Sequence, residues 1–206
     1  PIIAINGFCE RFLKTAGPKL DKRETEYINA IRESGKRMEK FVTDLLTLSA
    51  VENLKLKKEE FPVHELIDEI SRELAPQLDS KGGTLVIESP LPQIKADRVR
   101  LMQVFSNLIT NAIKYANPAR DLVISIGYRR EPNTHVFSVK DNGLGIPREY
   151  AENIFDIFFR GHESHAEGTG IGLSIVKKAV NIMGGEVWLS SEKDQGTVFY
   201  FSIPAA

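Results

Sequence analysis

This 206-residue chain has one cysteine, one tryptophan and no surplus of either charge. The single Cys9 excludes an internal disulfide and any cysteine-rich zinc site, so packing must supply the stability and a reducing, cytoplasmic setting is expected. Lys and Arg number 27 against 28 Asp and Glu, which argues against a nucleic-acid surface held by bulk charge. No apolar run approaches the length of a membrane span, and no signal peptide is visible. Internal repeats and low-complexity segments are missing too. The hydrophobic share, 42%, is ordinary for a globular protein and sufficient for a core. Pro1 stands where an initiator Met would be and apolar residues follow at once, so the chain reads as part of a longer protein whose anchor, if any, lies upstream.

Along the chain, Ile2, Ile5, Phe8 and Phe12 recur at three- and four-residue spacing and predict an amphipathic helix ending near Gly17-Pro18. Cys9 on this helix is expected to be a small buried residue. A second helix is expected from Asp21 to about Asn53. Ile28, Ile31, Gly35, Met38, Val42, Leu45 and Ser49 form one stripe on it, and Tyr27, Phe41 and Leu48 form a neighbouring one. Two adjacent stripes need more than one partner. A helical hairpin buries one; the other meets either a second copy in a four-helix bundle or the C-terminal half of the same chain. The charged stretch LKLKKEE, residues 54 to 60, reads as a linker between domains of 1–56 and 61–206.

After the linker the composition changes. Phe61-Pro62-Val63 suggests a short strand, and Leu66, Ile67, Ile70, Leu74 and Leu78 set a helix that ends before Lys81-Gly82-Gly83. Strands are expected at Thr84 to Glu88, Gln93 to Ala96, Leu122 to Tyr128, Thr134 to Lys140, Glu186 to Ser190 and Thr197 to Ile203. Asp97 caps a helix reaching about Ala116, and Leu173 to Met183 forms another. Strands and helices mix without regular βαβ alternation. The fold class is therefore α+β: a helical hairpin followed by an α/β sandwich, a mixed sheet with helices on one face.

Chemistry concentrates between Asn107 and Thr197. The DNGLGI run places Asp141 where a strand ends and a glycine turn begins, and GTGIGL opens a helix whose first N–H groups suit phosphate. Either cluster alone is equally an ordinary glycine loop. On the helix from Asp97, the side chains of Asn107, Asn111 and Lys114 share a face at i, i+4 and i+7. Two asparagines in a helix interior are locally costly. They are either a solvated polar face or ligands, amide oxygens for Mg²⁺ with Lys114 meeting a phosphate. Neither glycine cluster is a Walker loop, since no Gly-Lys-Ser/Thr follows.

NLITNAIKYA, DNGLGI, FDIFFRG, GTGIGL and GTVF stand here in one order. Together they resemble the N, G1, F, G2 and G3 boxes of sensor histidine kinases, over residues 61 to 206. PIIAINGF and Tyr27 to Glu52 resemble the dimerisation and histidine-phosphotransfer domain of the same family. The resemblance implies a Bergerat-type ATP-binding domain. It assigns Asp141 to the adenine amino group, an interaction whose loss weakens ATP binding by about ten- to a hundredfold. It makes Asn111 the Mg²⁺ ligand, with Asn107 close to the ion, Lys114 on phosphate and Tyr115 against the nucleotide. Gly143, Gly145 and Ile146 line the base, while Gly168, Thr169, Gly170, Gly172 and Leu173 hinge a lid over residues 161–168 and receive phosphates. Arg160 steadies the γ-phosphate during transfer, and Thr197 lies near the base. Lys114, Asn107 and Arg160 would be the catalytic set.

Related ATPases of the gyrase and Hsp90 kind carry a water-activating glutamate where Asn107 stands, so the resemblance disfavours hydrolysis. Aligned phosphoryl transfer needs mainly charge neutralisation. The family's acceptor histidine lies five residues before the proline that Pro1 resembles. His64, His135, His162 and His165 have no such context. The chain is therefore expected to bind ATP without phosphorylating itself, with phosphatase determinants upstream as well. The implied partners are a second copy through the hairpin and a response-regulator receiver domain. There would be no nucleic acid, and a membrane only through upstream segments. Two other readings fit parts of the pattern: a non-catalytic ATP-gated dimerisation or adaptor module, and an ATPase or serine kinase of the same superfamily.

Overall fold

The structure, a computed structural model, describes residues 1–53, 56–159 and 169–205, with side chains described outside 47–53. It forms two compact units, Pro1–Thr47 and Leu48–Ala206.

The first unit is a helical hairpin. Helix α1 (Ile2–Ala16) ends in a short turn of 3₁₀ helix, Gly17–Lys19, and α2 (Lys22–Asn53) follows. The start of α2 is a reciprocal cap: Glu24 N–H donates to Asp21 Oδ1 at 2.8 Å and Asp21 N–H donates to Glu24 Oε2 at 2.9 Å. The helices approach at Gly35, where a Cβ would collide with the Asn6 side chain, and Asn6 Nδ2 donates to Glu39 Oε2. Cys9 is buried as expected, but most of the apolar stripes are not. Phe8, Ile31 and Met38 remain 68%, 49% and 49% exposed.

The second unit is a layer of helices on a sheet. Its elements run β1 (Lys58–Pro62), α3 (Val63–Asp79), β2 (Thr84–Ile87), β3 (Gln93–Asp97), α4 (Arg98–Lys114), β4 (Val123–Arg130), β5 (Thr134–Asp141), α5 (Gly172–Ile182), β6 (Val187–Glu192) and β7 (Gly196–Pro204). The five-stranded sheet has the order β2-β4-β5-β7-β6; β2 is parallel to β4 and the other pairings are antiparallel. Period-2 alternation sends Phe137 and Val139 of β5, with Phe199, Phe201 and Ile203 of β7, into one buried face. Phe105 of α4 meets this face edge-on, its ring centroid 5.6 Å from Phe137 and 5.1 Å from Phe201. The opposite face carries Ser125, Ser138 and a stacked Trp188–Tyr200 pair 5.6 Å apart.

Val63, expected in a strand, opens α3 instead, and the linker boundary differs from the sequence reading too. Lys58 to Glu60, expected in the linker, belong to β1, which pairs with β3 in a separate two-stranded sheet. All three side chains are exposed and only Phe61 is buried, so no alternation betrays the strand. The end of the linker is held by backbone pairing and by Asp97, whose Oδ2 accepts from Lys57 N–H at 3.0 Å.

Candidate functional site

Asp141 is the last residue of β5, paired with Ile124 on one side and Thr197 on the other, with its side chain on the buried face. Its Oδ1 accepts from Gly143 N–H at 2.8 Å and from Thr197 N–H at 3.3 Å. Oδ2 has no hydrogen-bond partner among the described residues. Burial pushes the carboxyl pKa up, and the two backbone hydrogen bonds offset that only in part. One oxygen is locked and the other is available, which makes Asp141 a directional acceptor.

The turn after Asp141 can lie this close only without side chains. A Cβ on Gly143 would collide with the Tyr115 carbonyl oxygen, which instead accepts from Leu144 N–H at 3.0 Å. Gly145 has φ +70 and faces the Glu192 carbonyl, so only glycine fits there. Ile146 N–H donates to Ser191 Oγ at 2.7 Å, and Ser191 Oγ also contacts Gly196 O and Thr197 Oγ1. The DNGLGI turn is thus bound to the end of α4 and to the β6–β7 hairpin.

The polar face of α4 lies beside it. Asp97 caps this helix, its Oδ1 accepting from Arg100 N–H at 3.1 Å. Asn107 Nδ2 donates to the Gln103 carbonyl at 2.8 Å, which satisfies half of a costly helical amide. Asn107 Oδ1 faces Gly172, where a Cβ would stand 2.9 Å from it. The first residue of α5 therefore packs on the Asn107 carboxamide. Among the described residues no side chain caps α5, so none of them takes its first-turn N–H groups from an anion. The Asn111 side chain makes no hydrogen bond to the described residues. Lys114 Nζ is 2.9 Å from Tyr115 OH and 4.5 Å from the centre of that ring.

Asn107, Asn111, Lys114 and Tyr115 on α4, Asp141, Gly143, Gly145 and Ile146 on the turn, and Thr197 on β7 thus belong to one edge of the second unit. Gly170, Gly172 and Leu173 join them at the start of α5, where Thr169 Oγ1 accepts from Ile171 N–H at 3.4 Å. The FDIFFRG segment is tied to the same point, Phe158 N–H donating to Gly170 O at 3.0 Å. Arg160, Gly168, the lid over 161–168, His162 and His165 lie outside the described residues. His135 sits near the opposite end of β5. Its Nδ1 is 3.1 Å from Tyr128 OH and its Nε2 is 2.9 Å from Arg130, and burial, then the Arg130 charge, lowers its pKa. It is a packing residue. Ser191 was missed by sequence reasoning, because a serine in a strand carries no pattern that separates it from its neighbour Ser190.

The donor set suits Mg²⁺. Among the described residues no three His, Cys, Asp or Glu side chains cluster to hold a metal ion, but Mg²⁺ needs few protein ligands and takes amide oxygens when phosphates supply the rest. Among the described residues no helix is long and apolar enough to cross a membrane.

Residues 96–206 match the family described as histidine kinase-, DNA gyrase B-, and HSP90-like ATPases. The chain is 33% identical over 205 residues to the phytochrome-like protein Cph1 of Synechocystis sp., an alignment taking in 99% of this chain and 27% of that protein. It spans about a quarter of the length of such curated relatives. The fold is similar to full-length ShkA in complex with AMPPNP, with TM-score 0.75 and 28% identity over 99% of this chain and 43% of that one. It is similar as well to the histidine kinase ThkA in complex with the response regulator protein TrrA, with TM-score 0.71 and 28% identity over 100% of this chain and 59% of that one.

Proposed function

Because this chain belongs to the histidine kinase-, DNA gyrase B- and HSP90-like ATPase family, we propose that residues 61–206 bind Mg·ATP and present its γ-phosphoryl group to a histidine. The observation that carries this reading is Asp141: a buried carboxylate with Oδ1 held by two backbone N–H groups and Oδ2 available to the adenine amine. Gly143, Gly145 and Ile146 shape the base pocket and Thr197 borders it. The triphosphate runs from there toward α5, where the first-turn N–H groups at Gly172 and Leu173 accept it, with Thr169 and Gly170 before them. Lys114 leaves Tyr115 to meet phosphate charge, and Tyr115 lies against the nucleotide. Asn111, with Asn107 nearby, holds Mg²⁺, which neutralises phosphate charge when bound. Gly168 and Arg160 complete the set at the lid, Arg160 on the γ-phosphate.

Transfer is favoured over hydrolysis because the amide of Asn107 cannot take a proton from water, and its Nδ2 already serves the Gln103 carbonyl. Residues 1–56 are the dimerisation and histidine-phosphotransfer hairpin. They contain no histidine, so the acceptor in this reading is a histidine outside these 56 residues, and an aspartate of a response-regulator receiver domain is the next acceptor.

Two measurements test this reading. Calorimetry on the 206-residue chain is expected to show Mg²⁺-dependent ATP binding that Asp141→Ala weakens by about ten- to a hundredfold. The chain extended upstream is expected to take phosphate from ATP in an acid-labile, base-stable linkage. Acid-stable phosphate, or steady ADP release without phosphoprotein, would replace the histidine-kinase reading with a serine kinase or an ATPase. ATP binding with no transfer at all would leave an adaptor.

A further inference from the structure

We propose that Ser191 is a positioning residue that fixes the direction of the Thr197 hydroxyl, and so makes the base pocket select a purine bearing an exocyclic amine over a 6-oxo purine. The inference rests on the reading of Asp141 as the base acceptor. Ser191 of β6 stands opposite Thr197 of β7 in register, and both side chains lie on the face that also carries Asp141. Ser191 Oγ is 2.9 Å from the carbonyl oxygen of Gly196. A carbonyl only accepts, so this contact and the one to Thr197 Oγ1 are both hydrogen bonds only when the single hydroxyl proton of Ser191 goes to Gly196.

Two lone pairs remain on Ser191 Oγ. One takes the Ile146 N–H at 2.7 Å. The other faces Thr197 Oγ1 at 2.8 Å, where distance alone leaves the donor open; the arrangement that satisfies both contacts makes Thr197 the donor. The Thr197 hydroxyl therefore points its proton at Ser191 and shows only lone pairs to anything else it meets. Its own backbone N–H holds Asp141 Oδ1 at 3.3 Å, which places this hydroxyl one residue from the carboxylate that reads the base. Thr197 is 4% exposed, so water has little room to reverse that polarity.

The result is an acceptor pair, Asp141 Oδ2 and Thr197 Oγ1. An amine at the purine 6-position brings two N–H donors to such a pair. A carbonyl at the same position brings only lone pairs and meets like with like. Without Ser191 the Thr197 hydroxyl is able to turn and donate to a 6-oxo group, which removes part of the discrimination.

The test compares ATP with inosine triphosphate, which differ at that position and in the protonation of the adjacent ring nitrogen. Dissociation constants are measured by calorimetry for the intact 206-residue chain. Wild type is expected to prefer ATP, and Ser191→Ala to narrow the preference by about tenfold, the scale of one reversed hydrogen bond. Ser190→Ala, on the exposed neighbour in β6, is expected to leave it unchanged. In a Thr197→Val background, adding Ser191→Ala is expected to move the ratio no further, because no hydroxyl remains to turn. Equal weakening of both nucleotides by Ser191→Ala would reduce Ser191 to a structural role and overturn the proposal, as would the same ratio change in the Thr197→Val background. If Ser191→Ala fails to fold, Thr197→Val alone decides: an undiminished preference for ATP overturns the proposal. ATP binding that is insensitive to Asp141→Ala would defeat the base-acceptor reading and this inference with it. Asp141-dependent binding with an unmoved Ser191→Ala ratio defeats this inference only.

Discussion

At Asp141 the fold and the ligand make opposite demands. Burial raises the carboxyl pKa above its unfolded value, so the folded protein binds the proton more tightly than the unfolded chain does. The group therefore favours folding most when protonated, and stability declines as pH rises from the ordinary carboxylate range through the folded pKa. Desolvation makes the ionised carboxylate the costly form in the nucleotide-free protein. Asn at this position keeps an oxygen for the Gly143 and Thr197 N–H groups while removing the charge. Asp141→Asn is accordingly expected to raise the thermal unfolding temperature of the nucleotide-free chain at pH 7. The same change presents an N–H to the adenine amine and should weaken ATP binding by about ten- to a hundredfold. Unfolding curves with and without ATP check both halves: the variant should start higher and gain less from the nucleotide.

Among the elements, α4 was legible because three signals coincide on it. Asp97 announces its start, the spacing of Leu101, Val104, Phe105, Leu108 and Ala112 announces its buried face, and Asn107 and Asn111 stand out as poor helix formers on the remaining one. β1 and the role of Ser191 were not legible. In both cases the determinant is a partner distant in the chain: β3 for the strand, and the Ile146 N–H for the serine. No window of sequence contains such a pairing. Asp97 shows how much one capping residue can join. It accepts from Arg100 N–H and from Lys57 N–H, and its Oδ2 lies 3.5 Å from Nε of the buried Arg100. Asp97→Ala removes a cap and leaves the Arg100 guanidinium without this carboxylate. A cost of about 3 kcal/mol in urea unfolding is expected, between an ordinary cap and a broken buried pair. Hydrogen exchange should locate the loosening at the start of α4 and at Lys57.

For the molecule as a whole, the open question in the fold is what covers the hairpin. Its stripes are wider than one helix partner can bury, and within the hairpin the close approach at Gly35 leaves Ile3, Phe8, Phe12, Tyr27, Ile31 and Met38 exposed. Apolar area of that extent on two adjacent helices matches the unfinished half of a four-helix bundle, and a second copy offers the same surface in return. The surface of the proposed dimer belongs to the first compact unit, whereas Asp141, Asn111 and Lys114 of the proposed nucleotide site belong to the second. Phe8→Lys with Ile31→Lys places charge on two exposed positions and costs the isolated hairpin little packing. Sedimentation velocity is expected to show the parent chain as a dimer and the double variant as a monomer. ATP affinity, measured on the same samples, is expected to stay within about twofold, since the substitutions touch none of the site's hydrogen bonds. A parent chain that sediments as a monomer at micromolar concentration would refute the bundle. A variant that loses ATP binding along with dimerisation would show that the two units do not act independently.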